Sequence, residues 1–187
     1  MNSLLILLLI LAAIAVYFIT IYNKFASLRA GIDAAWSDID VQLKKRYNLI
    51  PALIETVKGY KDYEADTLKK VIEARNMATS AESMEDKAKA NSALGAALGK
   101  LFALSEAYPD LKANQNFMQL QDELSNIEDN IANARRYYNA IVRDYNASLE
   151  SFPDLIIANK FNYTPREYFE LEQNEKDSVK KMPEINF

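Results

Sequence analysis

The chain contains no cysteine and no histidine. Without cysteine there is no disulfide framework and no thiol chemistry. Without histidine there is no side chain suited to proton transfer near neutral pH, no imidazole ligand for zinc or a di-iron centre, and no Ser-His or Cys-His nucleophile. Any catalysis would fall to carboxylates, Lys, Arg or Tyr. Glycine and proline are scarce, 4 and 5 of 187 residues, and no stretch reads as a strand meander. A concentrated positive surface is missing too: net charge is −4, with 26 acidic against 22 basic residues, which argues against nucleic-acid binding. No motif singles out a catalytic, cofactor-binding or metal-ligating residue.

Charge is also absent from the start of the chain, and this absence is the most informative. From Leu4 to Tyr22 the one side chain that is not apolar is Thr20, and the first charge is Lys24. Nineteen helical residues rise roughly 29 Å, close to the hydrocarbon thickness of a bilayer. Residues 1–23 therefore read as a membrane anchor, with the lipid bilayer as the partner of residues 4–22. A cleaved secretory signal is the competing reading, because Ala13-Ile14-Ala15 imitates a cleavage site. Met1-Asn2-Ser3 lacks the basic residues of such a signal, and the apolar run continues to Tyr22. Lys24 and Arg29 follow the span, whereas only the amino terminus precedes it. The charge bias favours an outside N-terminus and a cytoplasmic body.

Beyond the anchor, residues 24–171 suffice for one helical bundle domain, and 172–187 read as a flexible polar tail. Leu28, Ile32, Ala35, Trp36, Ile39, Leu43, Tyr47, Ile50, Ile54 and Val57 follow three- and four-residue steps along one long helix. Pro51 predicts a kink or break in it, and Lys58-Gly59 its end. A second helix is expected from Asp62 to about Ser80, with Leu68, Val71, Ile72, Ala74 and Ala78 inward. A third starts at a Ser83/Asp86 capping pair, carries Leu94, Leu98, Leu101, Leu104 and Tyr108, and ends at Pro109. A loop at 109–112 leads to Asn114, a good N-cap for a fourth helix. Phe117, Leu120, Leu124, Ile127, Ile131, Ala134, Tyr138, Ile141, Tyr145 and Leu149 hold one face of it. Asp154 to Asn159 allows one or two turns, and Thr164-Pro165-Arg166-Glu167 has the marks of a helix start. The expected fold is all-α: an N-terminal transmembrane helix continuing into an elongated antiparallel up-and-down bundle. Counting helix directions places Phe152–Phe169 at its membrane-proximal end, capping the base or touching lipid or a neighbouring subunit.

Three constellations stand out against this frame. Asp33, Asp38 and Asp40 precede Lys44-Lys45-Arg46, which reads as a solvated helix face rather than an anion site. Ala88, Ser92, Ala96, Gly99, Ala103 and Ala107 form a small-residue stripe that includes Gly95-x-x-x-Gly99, suited to close packing inside the bundle or to self-association. Tyr137, Tyr138 and Tyr145 alternate with Arg135, Arg136, Asn139, Arg143 and Asn146, as in a polar seam that sets helix register. A ligand pocket between helices is the other reading of that seam.

The blocks Ala35-Trp36-Ser37-Asp38-Ile39-Asp40-Val41-Gln42-Leu43-Lys44-Lys45-Arg46-Tyr47-Asn48-Leu49-Ile50-Pro51, Glu55-Thr56-Val57-Lys58-Gly59-Tyr60, Glu106-Ala107-Tyr108-Pro109-Asp110-Leu111-Lys112-Ala113-Asn114, Tyr138-Asn139, Tyr145-Asn146 and Phe152-Pro153 resemble, in order, the signature of the LemA family. The resemblance implies a bacterial single-pass protein of the cytoplasmic membrane, with its N-terminus outside and an all-helical body. It also implies a magnetosome-associated branch and gene neighbours in membrane quality control or proteolysis. It supplies no reaction and no catalytic residues. The leading expectation is a non-catalytic scaffold or adaptor of the bacterial envelope that self-associates into a homo-oligomer or docks an envelope or membrane-protease partner. The alternatives are a cell-wall glycan enzyme working through carboxylates such as Asp38, Asp40, Glu64 and Glu106, and a small-ligand sensor or signalling adaptor.

Overall fold

The computed structural model describes residues 3–59 and 65–169. Its elements are α1 (Ser3–Lys58), α2 (Ala65–Ser80), α3 (Met84–Ser105), α4 (Pro109–Lys112), α5 (Gln115–Glu150) and α6 (Asp154–Lys160), with no strand among the described residues. The expected start of the second helix at Asp62 and the polar tail 172–187 lie outside the described residues. The rest sort into two compact units, one holding the chain up to Asp38 with Ala134–Tyr168, the other Ile39–Asn133 with Phe169. α1 and α5 each contribute one part to each unit.

In the first unit, the N-terminal turns of α1 bury nothing: Leu4 through Leu11, Ile14 and Val16 through Ile19 are exposed. This stretch is long and apolar enough to cross a membrane. The hydroxyl of Thr20 donates to the Tyr17 carbonyl at 2.7 Å, so the one polar side chain of the segment is satisfied within its own helix. Burial begins at Ile21 and Phe25 and continues through Ile32 and Ala35. Phe25 meets Tyr145 edge-on at 5.9 Å and Trp36 meets Tyr138 at 5.8 Å, so α5 returns antiparallel to α1 here. α6 follows as the sequence led us to expect and buries Ile157 and Ala158. It closes with the Tyr163 amide on the Ala158 carbonyl and the Asn162 amide on the Asn159 carbonyl, Asn162 sitting at φ 53°. This is a Schellman closure in which asparagine takes the left-handed position.

That closure turns the chain into extended backbone, and no helix starts at Thr164. The Thr-Pro-Arg-Glu signal loses because residues 163–168 lie along α5, whose side chains take the backbone groups a new helix would need.

The second unit packs the C-terminal half of α1 with α2, α3, α4 and the start of α5. Its core is Ile39, Leu43, Tyr47, Ile50, Leu53, Val57, Leu68, Val71, Leu94, Leu98, Leu101, Phe117, Leu124, Ile127 and Ile131. Ile72, expected inward, is exposed: Leu68, Val71, Ala74 and Ala78 already fill the narrow buried stripe of α2. The Ser83 hydroxyl accepts the Asp86 amide at 3.0 Å and the Asn114 carboxamide accepts the Phe117 amide at 3.0 Å, so both expected N-caps form. Residues 109–112 are a turn of helix rather than a loop. Pro109 presets the first helical position, the Lys112 amide reaches the Tyr108 carbonyl at 3.0 Å, and Leu111 is buried beneath.

α1 runs through Pro51 without a break. Proline has no amide to give the carbonyl four residues earlier, that of Tyr47. The Arg75 guanidinium Nε of α2 donates to this carbonyl at 3.0 Å. A side chain from the neighbouring helix thus replaces the missing backbone bond.

Candidate functional site

Among the described residues, polar side chains gather along α1 and α3 in the second unit and along α5 in the first. Asp40 pairs with Lys44 one turn on, at 2.7 Å, and with Lys87 of α3 at 2.8 Å. Hydrogen bonds from these two ammonium groups hold its carboxyl below the usual aspartate range, against an opposing effect of burial. Tyr47 is buried with its hydroxyl accepting from the Asn91 carboxamide at 2.7 Å, and burial raises its pKa. Arg46 is 5% exposed and reaches Glu128 of α5 at 3.0 Å. Burial lowers its pKa, and the Glu128 carboxylate opposes the shift. The basic cluster 44–46 is therefore split. Lys44 and Lys45 are solvated as expected, whereas Arg46 is a core residue. Nothing in the local spacing marked it, because its partner lies 82 residues away.

In the first unit, α5 presents a ladder to the extended segment. The Tyr145 hydroxyl donates to the Thr164 carbonyl at 3.2 Å, and the Tyr138 hydroxyl donates to the Glu167 carbonyl at 3.0 Å. Between them the Asn146 carboxamide clasps Arg166 from both sides, donating to its carbonyl and accepting its amide, each at 2.9 Å. Burial raises the pKa of both tyrosines, which keeps them protonated as donors. The Arg29 guanidinium sits 5.6 Å over the Tyr163 ring, and Arg166 approaches Asp33 at 3.9 Å. Tyr138, Tyr145 and Asn146 of the expected seam thus hydrogen-bond to backbone of residues 164–167, while the two tyrosine rings meet Trp36 and Phe25 of α1.

Three of the four carboxylates weighed for glycan chemistry are among the described residues, and none of the three is buried. Asp38 is solvated, Asp40 is held ionised by two lysines, and Glu106 is exposed and paired with Lys112. Glu64 lies outside the described residues. A general acid needs a carboxyl raised by an apolar pocket, the opposite of the situation at Asp40. Among the described residues no three carboxylates cluster in a way that could hold a metal ion.

Most of the small-residue stripe turns outward, with Ala88 and Ser92 half-buried. Ala96, Gly99, Ala103 and Ala107 are exposed, because Leu94, Leu98 and Leu101 take the inner face. Of its two glycines, Gly95 alone makes a close approach: a Cβ there would stand 3.3 Å from the Arg46 guanidinium, whereas one at Gly99 would meet nothing. Beside this face a shallow groove of about 430 Å³ lies between α2 and α3, lined by Met77, Ala81, Asp86, Lys89, Ala90, Ser92, Ala93 and Ala96. Its lining is mostly small and apolar, with Asp86, Lys89 and Ser92 as its polar members.

The buried Arg46-Tyr47 pair, the helix-embedded Pro51 and the Tyr138/Tyr145-Asn146 ladder fall inside a match to the LemA family model that covers residues 35–187. The chain belongs to the LemA family. Among curated members, Protein LemA of Metamycoplasma hominis is 28% identical over 78% of this chain and 68% of its own length. Magnetosome protein MamQ of Magnetospirillum gryphiswaldense is 24% identical over 79% of this chain, and Magnetosome protein MamQ 2 of Paramagnetospirillum magneticum is 24% identical over 80%. The chain spans 64% of the length of these two MamQ proteins. For this LemA-family chain, the exposed apolar N-terminal part of α1 supports a membrane location.

Proposed function

We propose that this chain is a non-catalytic, membrane-anchored helical scaffold or adaptor, acting by self-association or by docking a second envelope protein. One observation carries the reading: the apolar segment and the first folded unit share an uninterrupted helix, α1 (Ser3–Lys58). A helical junction sets the orientation of that unit to the bilayer, which suits presentation of a surface. An enzyme acting on a diffusing substrate gains little from it. The engaged state of Asp40 and the pairing of buried Arg46 with the half-exposed Glu128 favour the same reading, because these ionic groups are already partnered between helices. Kinship with proteins named for the magnetosome is consistent with a place in a larger assembly.

Native mass spectrometry of the full-length chain extracted in detergent tests this. An oligomer, or a stoichiometric membrane-protein partner, is expected; a strict monomer with nothing bound overturns it. The location we propose is the bacterial cytoplasmic membrane, with the N-terminus outside and the body in the cytoplasm, supported by Lys24 and Arg29 after the span. The lack of native cysteine makes the check clean. An impermeant maleimide should label Ser3→Cys in intact cells and Asn130→Cys only after lysis.

A further inference from the structure

The first unit keeps a second apolar surface in the open. Phe152 is 81% exposed, Phe161 50% and Ile156 47%, with Leu155 exposed beside them. Bulky apolar side chains exposed singly are ordinary, but four within ten residues form a patch that calls for an occupant. The patch adjoins the apolar stretch of α1. The Phe161 ring tilts against that of Tyr22 with centroids 5.0 Å apart, and Lys24 pairs with the buried Asp154 at the start of α6 at 2.5 Å. These two contacts pin α6 and its flanks to the level of residues 22–24.

Axial position then names the occupant. A span from Leu4 to Tyr22 rises roughly 29 Å, so Tyr22 stands at the edge of the hydrocarbon and Lys24 among the headgroups. Aromatic rings and lysine stems favour that layer. Whatever is fixed beside Tyr22 and Lys24 shares their depth. We propose that Phe152, Leu155, Ile156 and Phe161 lie in the bilayer interface, making α6 a second, in-plane membrane contact next to the span. The patch meets the exposed flank of α1 at Tyr22, against which the Phe161 ring rests, as a lipid-facing surface would. The ion pair has a role here as well. Asp154 is held against Lys24, so the carboxylate at the start of α6 is neutralised within the protein rather than left facing anionic lipid.

This inference rests on residues 4–22 spanning the bilayer, and the experiment separates the two. Spin labels are placed on the full chain through Phe152→Cys, Ile156→Cys, Leu11→Cys and Met77→Cys, one at a time. Each variant is reconstituted at one copy per nanodisc of phosphatidylcholine and phosphatidylglycerol, 3:1. Collision with molecular oxygen reports lipid, and collision with a water-soluble nickel chelate reports solvent. All four positions are exposed, so the substitutions disturb no core. The expected result at residues 152 and 156 is oxygen accessibility with nickel accessibility several-fold below that at Met77, a position 60% exposed in the second unit. Nickel accessibility equal to that at Met77, with Leu11 still lipid-embedded, overturns the interfacial contact and leaves the span intact. Shielding from both reagents means that protein covers the patch, and this also overturns it. A solvent-accessible Leu11 brings down the span and this inference with it.

Discussion

A single backbone carbonyl ties three residues of α1 and α2 together. Pro51 withholds an amide from Tyr47, and Arg75 supplies the donor. Arg75→Ala should therefore destabilise the fold by about 1.5–3 kcal/mol, the usual range for a lost charge-assisted bond. In a Pro51→Ala background the restored amide satisfies the carbonyl, and the same Arg75 substitution should cost clearly less. Thermal melts of the four proteins measure this coupling, and equal costs in both backgrounds would refute it. Asp40 lends itself to a pH test. Its folded-state pKa lies below the unfolded value of 3.8, so the unfolded chain binds more protons over that interval. Its contribution is complete above the unfolded pKa and disappears as pH falls through the folded one. Asp40→Asn should flatten the acid limb of the stability curve below about pH 4 and lower stability at neutral pH.

Two contrasts belong to whole elements. On α3, Gly99→Ala adds a methyl group in open space and should raise stability by about 0.5–1 kcal/mol through helix propensity. Gly95→Ala gains the same propensity but crowds the Arg46 guanidinium, so its melting temperature should rise less. Equal shifts would mean that the guanidinium moves aside at no cost. On α5, Asn146→Ala removes both halves of the Arg166 clasp. Hydrogen exchange should quicken at the Arg166 amide, while the Asn162–Tyr163 closure of α6 keeps its protection. The same elements show which features local sequence can reveal. Ser83, Asn114 and the three- and four-residue steps of α1 and α5 act within one or two turns, so the chain announces them. The Arg75–Tyr47 bond spans 28 residues, the Arg46–Glu128 pair 82 and the Asn146–Arg166 clasp 20. Such partners are set by tertiary packing, which is why Pro51 read as a kink or break, Arg46 as solvated and Thr164 as a helix start. The candidate site was legible only as a composition of tyrosine and asparagine; that its partner would be extended backbone was not.

At the scale of the molecule, orientation in the membrane is decided by very few charges. Lys24 and Arg29 are the basic residues close after the apolar segment, and Lys24 is already paired with Asp154. The asymmetry that we propose to hold the body on the cytoplasmic side is therefore small, and two lysines ahead of the span should compete with it. In a chain carrying Asn2→Lys and Ser3→Lys together with the Asn130→Cys reporter, part of the population should become labelled by an impermeant maleimide in intact cells. The rival account is that the folded body fixes orientation regardless of these flanking charges. It predicts no labelling before lysis. A mixed population would place the decision in the residues flanking the apolar segment; an unchanged one would place it in the helical body, whose α1 starts in that segment and is packed by residue 21.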